Sequence, residues 1–309
     1  MKLWDFKMMR DGKIAIGDKI AEPLGLLDES EVFTTMFRYE SGGSSSYEVV
    51  ISPFGPENYR EICYVTFQIK DVPGSLAQCA RFLKTRNIDI LNSESVSFMP
   101  SVAMTWVMLV DLSFFGDRES LEREFAEARE AQDSSISLID SIVTEPSNLA
   151  ERYTKGFAAD NPAITTRALR KMEKNVTVIE KGALRLPEAY LNFFGKRDAP
   201  VMLIGDTESW ILSISFLADE TDLWRMKFTI PDKPGSVYEI SNAMSGEKIN
   251  ILAGYTQVLV YYQKMLYEII ADISGCKCEH EAFEELVRNK ISSLGGDFSV
   301  MNIEAVPFR

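Results

Sequence analysis

Two short stretches carry the residue types best suited to capturing a small zwitterion. Asp71-Val72-Pro73-Gly74-Ser75-Leu76 and Asp232-Lys233-Pro234-Gly235-Ser236-Val237 each place a carboxylate two residues before a Pro-Gly turn and a hydroxyl directly after it. Glycine lets a ligand approach the backbone closely. A helix starting at the serine would leave its first N–H groups unpaired, an arrangement that favours a carboxylate. Asp71 or Asp232 can accept a hydrogen bond from an ammonium. The same residue types also cap helices wherever a strand runs into one, so the turns alone do not decide between ligand and cap.

Other candidate chemistry is thinner. Cys276-Lys277-Cys278-Glu279-His280 offers two thiols and an imidazole, ligand types that suit zinc. No fourth ligand accompanies Cys276, Cys278 and His280, so the expectation is a surface loop opening the last helix, with no metal. The four cysteines, Cys63, Cys79, Cys276 and Cys278, are too few and too irregular for a disulfide framework, and reduced thiols are expected. Ser41-Gly42-Gly43-Ser44-Ser45-Ser46 lacks the Gly-Lys-Ser/Thr ending of a phosphate cradle and reads as a flexible loop. His280 is the only histidine, which removes any Ser-His-Asp or two-histidine constellation. Nothing places two carboxylates around a cleft, so the reading is non-catalytic and without a cofactor.

The elements that must position the turns come from an internal repeat. A constant spacing of 161 residues relates Pro73 to Pro234 and the Ile88-Asp89-Ile90-Leu91 run to Ile249-Asn250-Ile251-Leu252. Before each Pro-Gly, Cys63, Val65, Phe67 and Ile69, and then Trp224, Met226, Phe228 and Ile230, alternate with more polar residues, which is strand periodicity. After it, Leu76, Cys79, Ala80 and Leu83, and Val237, Ile240 and Met244, recur at helical spacing. Met104, Trp106 and Met108 match Met265, Tyr267 and Ile269 as a further strand pair. Helical stretches around 121–131 and 283–294 and strands around 136–143 and 298–306 follow. The order βαββαβ predicts a ferredoxin-like sheet with helices on one face.

A second duplication precedes each of these domains. Residues 8–17 align with 178–187 at a spacing of 170, and Gly25 aligns with Gly195. Each copy reads as strand, Gly turn, strand, short helical turn, Gly stop and further strands near 32–38 and 201–204. A unit this small is not stable alone, and pairing of the copies would bury the apolar sides of both.

The Asp-x-Pro-Gly-Ser-Leu/Val turns with the later Ile-Asp/Asn-Ile-Leu strand start resemble the ACT domain family in both copies. The resemblance implies binding of small ligands, typically amino acids, between paired domains. It places Asp71, Asp232, Asp89 and Asn250 at the site. Asn250 keeps the common residue type; Asp89 would set a second carboxylate beside Asp71 and repel an acidic ligand. The segment 182–188, ending at 191–195, resembles the AbrB-like swapped-hairpin family, many of whose members are dimeric DNA-binding regulators; residues 12–25 form the other copy. Lys13, Lys181 and Arg185 would then meet DNA. Each hairpin region carries slightly more Asp and Glu than Lys and Arg, and Gly17 stands where the pattern prefers Pro.

The expected fold is therefore α+β: two ferredoxin-like (ACT-like) domains plus two hairpin modules pairing into an AbrB-like β-barrel. The modules span 1–52 and 175–220, the ACT-like domains 60–145 and 222–309. A linker at 146–174 is expected to contain a helix capped by Thr165-Thr166. The 309 residues accommodate this arrangement, and 46% apolar and 26% charged residues are ordinary for globular domains. A net charge of −13 works against non-specific binding to nucleic acid or anionic lipid. No apolar run reaches membrane-spanning length and no secretory signal is visible, which makes the cytoplasm the expected location. The leading expectation is an allosteric, ligand-responsive regulator binding an amino acid or related small acid, whose output is a protein partner or DNA. Transcription regulation through the hairpins and a ligand-free scaffold for a metabolic enzyme are the alternatives. Pairing of the ACT-like domains within the chain, or in a homodimer, stays open.

Overall fold

The computed structural model describes residues 2–41, 44–54, 61–147, 165–168 and 175–306. In chain order the elements are β1 (Lys2–Met9), β2 (Lys13–Ala15), α1 (Asp18–Ala21), β3 (Glu31–Ser41), β4 (Ser44–Ser52), β5 (Ile62–Lys70), α2 (Ser75–Lys84), β6 (Asp89–Met99), β7 (Ala103–Asp111), α3 (Arg118–Glu130) and β8 (Ile139–Pro146). There follow β9 (Thr165–Ala168), β10 (Asn175–Glu180), β11 (Ala183–Arg185), α4 (Glu188–Phe194), β12 (Ala199–Asp206), β13 (Ile211–Phe216), β14 (Leu223–Pro231), α5 (Ser236–Gly246), β15 (Asn250–Val260), β16 (Lys264–Asp272), α6 (His280–Ser293) and β17 (Ser299–Ala305). The chain divides into two compact units, one of Met1–Leu3, Gly12–Gly195 and Leu203–Ser215, the other of Trp4–Asp11, Lys196–Met202 and Phe216–Arg309.

Each unit contains one βαββαβ repeat. The strand orders β6-β7-β5-β8 and β15-β16-β14-β17 are the same, and both are the ferredoxin-like order. All strand pairs in these two sheets are antiparallel. The alternation read from sequence is realised: Val65, Phe67 and Ile69 in one repeat and Met226, Phe228 and Ile230 in the other are completely buried beneath the helices. Cys79, Phe82 and Leu83 of α2 and Leu121 and Phe125 of α3 close the first core, and Ile240, Met244, Phe283, Val287 and Ile291 close the second. Burying side chains of this size contributes about 1.5–3 kcal/mol each, which is why the periodic positions dictate the helix faces. Leu76 and Val237 depart from that pattern. Both lie in the first turn of their helix and are 37% exposed.

In the first unit the hairpin copies interlock. β2 and β11 pair antiparallel through Ala15–Ala183, Ile14–Leu184 and Lys13–Arg185. The Ile16 N–H donates to the Gly182 carbonyl at 2.8 Å and the Leu186 N–H to the Gly12 carbonyl at 2.9 Å, a reciprocal exchange at the repeat spacing. Ile14, Ile20, Leu24, Leu184 and Leu191 are buried by it. β10 continues onto β3, β3 onto β4 and β4 onto β13.

Two expectations are corrected. Thr165–Ala168 does not begin a helix but forms a strand beside β3, pairing Ala168 with Phe37 and Thr165 with Glu40. The open hydrogen-bonding edge of β3 and the β-branched Thr165-Thr166 favour a strand there; the remainder of the proposed helix, residues 169–172, lies outside the described residues. Ser44, Ser45 and Ser46 likewise extend β4 and pair with β3 in place of a loop, while Gly42 and Gly43 lie outside the described residues. Among the described residues, no helix is long and apolar enough to cross a membrane.

Candidate functional site

The two Pro-Gly-Ser turns have nearly the same backbone. Gly74 holds φ +98° and ψ −12°, Gly235 φ +94° and ψ −17°, in the left-handed region that side chains avoid. Each is the residue from which a helix starts, α2 with ten residues and α5 with eleven. Ser75 N–H is taken by Val72 and Gln78 N–H by Gly74; in the second turn Lys233 takes Ser236 N–H and Gly235 takes Glu239 N–H. Between those bonds, the N–H groups of Leu76 and Ala77, and of Val237 and Tyr238, have no backbone acceptor among the described residues. The Ser75 and Ser236 side chains are 1% and 2% exposed, and neither Oγ has a hydrogen-bond partner among the described residues. An unmet buried hydroxyl costs about 1–3 kcal/mol, so the same defect in both copies is a feature to be explained.

The aspartates are already engaged. Asp71 Oδ2 accepts from Ser101 N–H and Ser97 Oγ, both at 2.8 Å, and Asp232 Oδ2 accepts from Tyr262 N–H at 2.7 Å. Each carboxylate thus ties its turn to the hairpin joining the second and third strands of the repeat, where Ser101 (φ +64°) and Tyr262 (φ +59°) occupy equivalent left-handed positions. Asp89 does not lie beside Asp71, contrary to the expectation. Lys70, next to Asp71, pairs with Ala103, whereas Asp89 pairs with Asp111 at the opposite end of the sheet, beside Ile62. The eight-residue run of β5 between those ends is about 26 Å at ~3.3 Å per residue. Asn250 stands the same way relative to Asp232, paired with Asp272. A single domain therefore does not assemble both halves of the expected ligand set.

What faces the turns differs between the repeats. In the first, the connector 131–138 carries a short helical turn that buries Ile136. Leu138 N–H donates to Gln78 Oε1 at 2.9 Å, and Leu138 Cδ1 lies 4.0 Å from where a side chain on Gly74 would begin. In the second repeat the connector 294–298 is shorter and includes Gly295 and Gly296, with φ of +69° and +66°. Nothing lies within 4 Å of a side chain built on Gly235, Gly295 or Gly296. A cavity of about 570 Å³ lies beside the turn, between Asp232 and Lys233, Tyr262 and Gln263, and the connector 294–298; Gly235 and Ser236 are not part of its lining. Neither Gln78 nor the Gly-Gly connector stood out in the sequence, since both lie outside the matched motif.

Cys276 and Cys278 come together, with their sulfurs 2.6 Å apart, and burial with the neighbouring thiol pushes Cys278 up to about 11. His280 turns away to Asp222, and no cluster of three metal-ligating side chains exists among the described residues. All four cysteines are free, and burial pushes Cys63 and Cys79 up to about 12. Lys13 and Arg185 are cross-strand neighbours and exposed, and Lys181 sits at the tip of the β10–β11 turn. Arg185 lies 3.9 Å from Glu188, so its charge is shared with a carboxylate.

No family model matches the chain. No curated protein matches it either. Among solved structures, a protein of unknown function from Galdieria sulphuraria overlaps 80% of this chain and 99% of its own at 11% identity, with a TM-score of 0.23. The small subunit of acetolactate synthase from Thermotoga maritima overlaps 80% of this chain and 93% of its own at 13% identity and a TM-score of 0.22. The regulatory subunit of aspartate kinase from Thermus thermophilus does so over 74% and 90%, at 13% identity and a TM-score of 0.18. Overlaps at scores this low assign neither a family nor a function.

Proposed function

We propose that this chain is a non-catalytic regulatory protein whose ACT-like repeats bind an amino acid or a related small acid, with the second repeat as the working site. The observation that carries the reading is Ser236. Its buried, unpartnered hydroxyl lies at the head of α5, next to the unpaired N–H groups of Val237 and Tyr238 and under a turn with open space at Gly235. A carboxylate placed there would accept from the backbone donors and the hydroxyl together. Lys233 adds a positive charge at the same turn. In the first repeat the connector is instead tied to α2 through Leu138 N–H and Gln78, and Leu138 Cδ1 comes to 4.0 Å from a side chain built on Gly74, which favours the second turn as the working one.

Completion of the site with an Asp89- or Asn250-type residue requires a paired domain. The eleven-residue strands β6 and β15 are sheet edges whose outer halves expose Val96, Phe98 and Met99 in one repeat and Val258, Leu259 and Val260 in the other. Such edges suit pairing of the sheets. Regulation then follows if the ligand binds the paired and unpaired arrangements with different affinity. The output is a protein partner, since net charge and the Arg185–Glu188 pair work against DNA.

A thermal-shift screen of the full chain against the amino acids tests this, with Gly74→Val and Gly235→Val as the paired variants. Selective stabilisation abolished by Gly235→Val and kept by Gly74→Val is the expected result. No stabilisation by any amino acid, or a response that survives Gly235→Val, overturns it.

A further inference from the structure

The helix-free faces of the two sheets hold a second asymmetry. In the second repeat Arg225 projects there, with Nε 3.4 Å from Glu268 Oε1, Nη1 3.6 Å from Glu304 Oε1, and the Trp4 ring centred 5.6 Å from the guanidinium carbon. Lys227 joins at 3.3 Å from Glu268. A cation is thus held between an indole and two carboxylates, all within one unit. At the same positions the first repeat has Tyr64 for Arg225, Thr66 for Lys227 and Val107 for Glu268, as the strand registers require. The last carboxylate is kept: Glu145 pairs with Tyr64 as Glu304 pairs with Arg225. Glu94, paired with Val107 on β6, adds another, and the indole is supplied by Trp210 from the turn between β12 and β13.

Tyr64, Glu94, Glu145 and Trp210, with Asn92 and Thr66, line an open cavity of about 360 Å³ in the first unit, and no lysine or arginine lines it. Glu94 and Glu145 form no ion pair among the described residues, whereas Glu268 and Glu304 are neutralised in place. The aromatic walls are fixed. The Tyr64 hydroxyl donates to the Glu208 carbonyl, and Trp210 packs on Phe54 with ring centres 6.0 Å apart while holding φ +53°, a strained value for a bulky residue. The volume falls within the range of small-molecule sites, about 300–1,000 Å³. Aromatic faces beside uncompensated carboxylates recognise organic cations, and a planar guanidinium can stack on the rings while forking to the acids.

We infer that this cavity is a binding site for a small soluble organic cation carrying a guanidinium or ammonium group, which takes the place filled in the second repeat by Arg225. This site is separate from the Pro-Gly-Ser turns and does not depend on their reading.

Isothermal titration of the full chain with agmatine and with tetramethylammonium, and with butylurea as an uncharged control, tests the inference. Saturable binding of a cation, weakened by added salt and absent for butylurea, is expected. Tyr64→Arg would supply the missing guanidinium internally and abolish the binding. Glu94→Gln with Glu145→Gln, at exposed positions that leave the fold intact, would weaken it by about tenfold or more. Gly235→Val would leave it unchanged. The inference is overturned if neither cation binds at millimolar concentration, if butylurea binds as well as agmatine, or if binding persists in both the Tyr64 and the Glu94/Glu145 variants.

Discussion

The turns at Gly74 and Gly235 share a left-handed glycine, a buried serine hydroxyl without a partner and an aspartate tied to the neighbouring hairpin. They differ at the connector that faces them: 131–138 buries Ile136 and brings Leu138 Cδ1 to 4.0 Å from a side chain built on Gly74, while 294–298 lines a cavity with Asp232 and Lys233. In a duplicated chain the motif and its setting can diverge separately. The surroundings of a kept turn can change through a segment nearly sixty residues further on.

The sharpest way to break this comparison is the ligand response itself. Valine at either glycine costs a similar amount of stability, about 1–3 kcal/mol for a β-branched residue at positive φ, so melting temperature should fall alike in the two variants. The amino-acid-induced shift should vanish only with Gly235→Val. Next comes the hydroxyl. Ser236→Ala and Ser75→Ala should both be neutral to stabilising without ligand, by up to about 1–3 kcal/mol, because each removes an unmet polar group. Affinity measured by calorimetry should drop about tenfold in Ser236→Ala and stay unchanged in Ser75→Ala. Equal losses in the two serine variants would make the sites equivalent and remove the asymmetry.

A third test concerns the bond between α2 and the connector. Gln78 Oε1 accepts from Leu138 N–H, and its Nε2 donates to Ser134 and Ser137. Gln78→Ala should therefore destabilise the chain by about 1–2 kcal/mol in chemical denaturation. The equivalent Glu239 is exposed, and Glu239→Ala should stay within about 0.5 kcal/mol. The smallest effect is acid sensitivity. Hydrogen bonds from Ser120 hold Asp117, the N-cap of α3, below the ordinary carboxylate range, and Ser135 does the same for Asp133. A depressed carboxylate stabilises the fold above its unfolded pKa, and that contribution is lost as pH falls through the folded value. The second repeat has Glu279 at the equivalent cap with no side-chain bond. Hydrogen exchange below pH 4 should thus rise earlier in α3 than in α6, and Asp117→Ala should remove the pH dependence of that difference.

The repeat made most of the fold legible. Positions that alternate or recur every three to four residues, such as Val65, Phe67 and Ile69 or Ile240 and Met244, owe their place to burial, and burial is what periodicity records. Thr165–Ala168 was misread because pairing to the edge of β3 is a long-range event that a Thr-Thr cap signal cannot register. At the site, the turns and their serines were visible, but Asp71 and Asp89 were placed together by resemblance alone. Their separation follows from strand register, which the motif does not contain. The cavity around Tyr64 and Trp210 was invisible for a related reason: its walls come from residues far apart in the chain, each ordinary in its own segment.

The reciprocal bonds between Ile16 and Gly182 and between Leu186 and Gly12 also constrain how the chain can be made. The first hairpin emerges from the ribosome long before its partner exists, so its apolar residues, Ile14 and Leu24 among them, must wait through the synthesis of an entire βαββαβ repeat. Contacts of such sequence separation slow folding and expose intermediates to aggregation. The βαββαβ repeats can close as each is completed, whereas the hairpin pair can lock only after residue 186 is free. Cutting the chain between 147 and 165 would turn that intramolecular wait into a bimolecular one. Two half-chains made together should then find each other through the hairpins, while either made alone should be left with an unsatisfied, sticky edge.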